Sequence, residues 1–169
     1  MMMSIRTGNA ISITFIAVAI ILSNLSRYLE NPFRLIVLIT CWFLMLYFTH
    51  CLSHYIVGTL MGVKFSHYFL SKSMLSKSGI PFVSAIFSKK IFLTIKIKKK
   101  AGRKAMFFMF LAGPLSSMFS PLLVFYIAYS FDRFSAFVIL LIIILNAIFT
   151  GYNSYRYGCI RKAMDSLKS

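Results

Sequence analysis

Acidic residues are nearly absent from this chain: against 19 Lys and Arg it carries three carboxylate side chains, Glu30, Asp132 and Asp165, for a formal net charge of +16. Chemistries that need several carboxylates together, such as paired-acid glycoside hydrolysis or two-metal hydrolysis, have no raw material beyond those three. Charge of either sign is also sparse, at 13%, where soluble domains run to about a quarter. Cysteine numbers three, Cys41, Cys51 and Cys159; an odd count without regular spacing excludes a disulfide framework, and Cys41 reads as a small packed residue inside an apolar run. No Gly/Ser/Pro-rich linker interrupts the 169 residues, so a single unit over 1–169 is expected.

What is abundant is apolar length. Hydrophobic residues make up 59% of the chain and the mean hydropathy is +0.81. About 20 apolar residues in a helix cross a bilayer, and four stretches free of Asp, Glu, Lys and Arg qualify: 7–26, 35–63, 105–131 and 134–155. The first is not read as a signal peptide, because Ser23, Asn24, Leu25, Ser26 and Arg27 follow its core in place of a small-x-small cleavage site. The expected fold class is an all-α polytopic membrane protein: four transmembrane helices and a basic loop, 64–104, with room for a short β-hairpin.

Basic residues set the expected orientation, since cytoplasmic loops carry the excess of Lys and Arg. With four spans, the N-terminus, the 64–104 loop and the C-terminal tail share one side and hold sixteen of the 19, leaving Arg27, Arg34 and Arg133 on the other. An integral protein of the cell membrane with both termini cytoplasmic follows as the expectation. The loop contains no nucleic-acid-binding motif, so its partners are expected to be anionic lipid headgroups rather than nucleic acid. Within it, Ile91 to Lys98 moves into apolar/basic alternation, the period of a strand. Ser78 to Ser88, with Pro81 inside a short apolar run, reads as a re-entrant turn or as that strand's hairpin partner.

Two histidines stand out inside the second apolar run. His50 and His54 are four residues apart, so on a helix their imidazoles leave one face about 6 Å apart along the axis. One helix can give a zinc ion two nitrogen ligands in this way, although such a pair can equally hydrogen-bond to Ser or Thr on neighbouring helices. Ionisable groups at membrane depth are costly and usually mark a site. Gly58 and Gly62 continue the i+4 series, which predicts close approach of a neighbouring helix beside the imidazoles. His67, just past Lys64, reads as a surface histidine.

The run from His50, Cys51 and His54 through Gly58 to Gly62-Val63 resembles the first motif of the site-2 protease family of intramembrane zinc metalloproteases, which reads HExxH with a small residue four positions on and Gly-Val or Gly-Ile at eight. Ala112-Gly113-Pro114-Leu115 is similar to the family's Ala-Gly-Pro-Leu segment; there Gly113, Ser117 and Ser120 offer a small-residue packing face and Pro114 permits a kink. In the family an Asn often stands at the position of Ser117. The third family motif ends in an Asp that completes the zinc site, and Cys159, within 146–163, stands at that place. The resemblance covers roughly 35–163, and the basic loop falls where the family often has a strand-forming insertion.

The resemblance implies a zinc site of His50, His54 and Cys159, a ligand set that zinc accepts. It also implies a defect. The HExxH glutamate is the base that takes a proton from zinc-bound water, and its position holds Cys51, with no other acid at hand. General acid–base catalysis contributes about 10² to 10⁴-fold, so the expectation is a catalytically impaired pseudoprotease that binds a transmembrane client. The alternatives are an active zinc endopeptidase with an unrecognised base, and an unrelated small membrane scaffold or transport accessory.

Overall fold

The computed structural model describes residues 2–71 and 92–168, and the turn or hairpin partner expected at Ser78 to Ser88 lies outside them. The chain is mostly helical, with a small sheet at one end. Strand β1 is Met2–Met3; helix α1, Ile5–Leu25, follows and continues as a 3-10 turn over Ser26–Tyr28; α2 is Phe33–Leu60. Strands β2, Lys64–Ser71, and β3, Phe92–Lys99, precede α3, Arg103–Phe119, and α4, Leu122–Tyr129. The chain ends in α5, Arg133–Tyr157, and α6, Cys159–Lys168.

Four helical segments are long and apolar enough to cross a membrane: Ile5–Tyr28, Phe33–Leu60, Arg103–Tyr129 and Arg133–Tyr157. Unlike a water-soluble bundle, they expose many large apolar side chains and also bury several small hydroxyls. Ser12, Ser23, Ser26 and Ser135 are fully buried, while Ile13, Ile21, Ile36, Leu145 and Ile148 are exposed. Hydroxyls turned inward bond to the helix itself, Ser12 to the Gly8 carbonyl at 2.9 Å and Ser23 to the Ala19 carbonyl at 2.7 Å. Apolar groups outside and small polar groups inside are what a hydrocarbon surrounding selects. Between the helices Ala19, Leu38, Cys41, Val124, Ala128 and Ile139 form the main core, where Cys41 fills a small packed position.

Each end of the bundle is fastened differently. At one end Asp132 caps α5 by accepting from the Phe134 and Ser135 backbone N–H groups, and it accepts from Arg34 of α2 at 2.8 Å. At the other, β1, β2 and β3 form an antiparallel sheet in that order, with Met3 opposite Tyr68 and Leu70 opposite Leu93. Within the alternation expected at Ile91 to Lys98, the described residues from Phe92 on form a strand, and its described partner is 64–71. Tyr68, fully buried, donates to Asn9 of α1 at 2.7 Å, so the first helix is tied to the sheet.

Two sequence expectations change and one holds. Gly62 does not extend the helical stripe: α2 stops at Leu60, and Gly62 takes φ +85 in the turn, with the Val63 N–H returning to the Gly58 carbonyl at 2.8 Å. A left-handed residue ends the helix there, the role glycine fills at lowest steric cost. Gly58 does serve close packing, since a Cβ there would meet the Phe65 ring at 2.5 Å and Met109 at 2.9 Å. Within the third apolar run, Pro114 stays inside α3 and the break comes at Ser120–Pro121, between α3 and α4.

Candidate metal centre

His50 and His54 both lie in the last three turns of α2 and face α3. Gly113 of α3 makes this possible: a Cβ on it would collide with the His54 ring. Each imidazole is held by its Nδ1. His54 Nδ1 donates to the Met109 carbonyl at 2.6 Å, an oxygen that can only accept. His50 Nδ1 lies 2.8 Å from the Ser117 hydroxyl. Set to donate to the Gly113 carbonyl at 3.1 Å, that hydroxyl accepts from His50; turned toward His50, it donates instead.

The two Nε2 atoms lie 3.3 Å apart. When each Nδ1 carries the proton, both present lone pairs that one cation could share; in the other tautomer of His50, one Nε2 donates to the other. The third donor comes from the far end of the chain. Gly158 separates α5 from α6, and Cys159, the first residue of α6, puts its Sγ 3.5 Å from His54 Nε2 and 3.8 Å from His50 Nε2. Its thiol is pushed up by burial, an effect opposed by the Lys162 ammonium one turn along α6.

The triangle of edges 3.3, 3.5 and 3.8 Å can be compared with what an ion requires. Tetrahedral coordination at about 2.05 Å to nitrogen and about 2.3 Å to sulfur gives face edges of about 3.3 and about 3.6 Å. The three donors therefore outline one face of such a tetrahedron. His54 is 7% exposed, and His50 and Cys159 are partly buried. Among the described residues this is the cluster able to hold a metal ion.

Cys51 takes no part in the triangle. Its thiol donates to the Leu93 carbonyl of β3 at 2.7 Å, while the Leu93 N–H donates to the Tyr47 hydroxyl at 3.0 Å. His67 stays in β2, 2.9 Å from the Ser66 hydroxyl, and does not join the site. Ser120, like Ser117, serves the α2–α3 contact, 2.9 Å from the Thr49 hydroxyl.

The three donors open on a cavity of about 530 Å³ walled by α2, β3, α3, α5 and the start of α6. Most of its wall is apolar, including Leu46, Leu93, Ile95 and Phe149. One side is polar: Thr150, Asn153 and Ser154 of α5 line it, and Asn146 behind them donates to the Ser117 carbonyl at 3.3 Å. Reading for ligands alone passes over this stripe, although its spacing of four, three and one from Asn146 is visible inside the last apolar run. No carboxylate lines the wall. Asp132 is at the opposite end of the bundle, and Asp165 lies 3.9 Å from Arg161 on the exposed side of α6.

Fold and site together define a helical chain with four membrane-compatible segments and a His₂Cys cluster able to hold a metal. Compared with known proteins, it matches no family model, no curated protein and no solved structure.

Proposed function

We propose that this chain is a degenerate site-2-protease-like membrane protein, in which His50, His54 and Cys159 hold zinc and a transmembrane client is bound rather than cut. The observation that carries the reading is the donor triangle, whose imidazoles are anchored through Nδ1 on their far sides and whose edges suit tetrahedral zinc. Zinc in such a site supplies a Lewis acid. The chain's own residues supply orientation: Ser117 and the Met109 carbonyl fix the imidazoles, and Gly113 gives them room. Nothing in the cavity wall supplies a carboxylate base, and the thiol at the position expected for one is committed to a backbone carbonyl. The apolar wall and the volume of about 530 Å³ suit a segment of a membrane client. Both termini lie at the end of the bundle that carries the basic strands, which supports a cytoplasmic placement of that end and contact of its lysines with anionic headgroups.

Elemental analysis of the detergent-purified protein tests the metal: about one zinc per chain is expected, lost in His54→Ala, and a metal-free wild type would sink the reading. Incubation with a helical membrane substrate tests the chemistry. No cleavage by wild type is expected; cleavage that disappears in His54→Ala would establish an active endopeptidase instead.

A further inference from the structure

The charge balance around the donor triangle leads beyond metal binding to the kind of ligand that completes it. This step rests on the zinc reading above. A divalent ion with one thiolate and two neutral imidazoles keeps one net positive charge, since a coordinating thiol gives up its proton. Lys162 adds a second. Its side chain lines the rim of the cavity, with Nζ 6.0 Å from the centre of the Phe110 ring. Among the described residues Lys162 has no carboxylate partner, because the two ion pairs present are Arg34–Asp132 and Arg161–Asp165. The whole sequence offers one further acid, Glu30, in the connection between α1 and α2.

In the motifs that the sequence resembles, the ligand and base positions carry carboxylates. Here the ligand position has sulfur and the base position a neutral thiol that donates to Leu93. Lys162 is itself exposed, so the cost of uncompensated positive charge falls on the ion in its largely apolar cavity, with the ammonium adding its field from the cavity lining. Three donors occupy one face of a tetrahedron, so the fourth vertex is left for a ligand, and a negatively charged oxygen there would meet both the ion and the field of Lys162. Thr150 and Asn153 add neutral hydrogen-bonding groups on the same wall, and Leu46, Ile95 and Phe149 give an apolar body somewhere to lie.

We infer that the cavity is a receptor for a carboxylate carried on an apolar chain, the carboxylate completing the metal site and Lys162 facing it. Two sources share this chemistry, a fatty acid and the free C-terminus of an apolar peptide, and the experiment separates them.

The full-length protein, loaded with cobalt in a non-ionic detergent, reports the fourth ligand through its visible d–d bands. Decanoate is titrated against methyl decanoate, and an apolar hexapeptide acid against its C-terminal amide. Saturable band shifts with the two acids and none with the ester or amide are expected; whichever acid binds more tightly identifies the source. Lys162→Met should weaken decanoate about tenfold, equivalent to about 1.4 kcal/mol, while Lys162→Arg keeps the affinity and both variants keep the cobalt bands. Bands that ignore the acids, or move equally with ester and amide, overturn the inference while leaving the metal site standing. A protein that takes up no cobalt, and no zinc, overturns both.

Discussion

The Ser117 hydroxyl lies within hydrogen-bonding distance of both the Gly113 carbonyl and His50 Nδ1. Removing it leaves the imidazole free to turn or to move its proton to Nε2, the atom needed for the metal. Outer partners of this kind are typically worth 10- to 100-fold in metal affinity. Ser117→Ala is therefore expected to weaken zinc by about that factor, read by competition with a chelator, with the helical circular dichroism unchanged. At the same scale helical spacing nominates His50 and His54, whereas Cys159 is nominated only by its place in the motif that the sequence resembles. The sequence does not disclose that both imidazoles are anchored through Nδ1, since Met109 contributes a backbone oxygen that leaves no mark on residue type. Nor does it disclose the partner of Cys51: the Leu93 carbonyl is 42 positions away and arrives with β3.

Among the elements, the apolar helices are legible from length alone, and their ends fall within a few residues of the expected limits. The breaks are less so. Two prolines stand in the third run, both fully buried, and the helix continues through Pro114 but turns at Pro121. Strand β2 is hidden because its register slips near Phe65 and His67, which spoils the strict alternation that reveals a strand. The join between α2 and α5 makes a stability prediction. The Ser135 hydroxyl, together with Arg34 and Asn31, holds the Asp132 carboxyl well below the usual range. A depressed carboxylate contributes stability above its unfolded pKa of about 3.9 and loses it as pH falls further. Asp132→Asn keeps a capping oxygen but loses the ion pair with Arg34, and should lower stability at pH 7 by about 0.5–1 kcal/mol. The gap between wild type and variant should close on acidification below about pH 4, as followed by thermal unfolding in detergent.

For the molecule as a whole, the sheet joins the N-terminus to the basic strands, and α6 brings the C-terminus against α3 at the same end. A membrane-impermeant maleimide added to intact cells should therefore spare both Met2→Cys and Lys168→Cys and label Tyr28→Cys, exposed at the opposite end. Labelling of one terminus without the other would rule out four crossings. Charge bias makes this arrangement readable in the sequence, whereas the meeting of α2 with the start of α6 depends on a chain reversal that no local pattern encodes. That meeting has a mechanical side. His50 and Cys159 are 109 positions apart, so an ion bridging them would close a loop around α3, α4, α5 and both long strands. Tension applied at the C-terminus would then unravel little more than α6 before reaching the coordinate bonds. The rest of the chain would leave the bilayer only after the ion let go, which makes its release the gate to extraction.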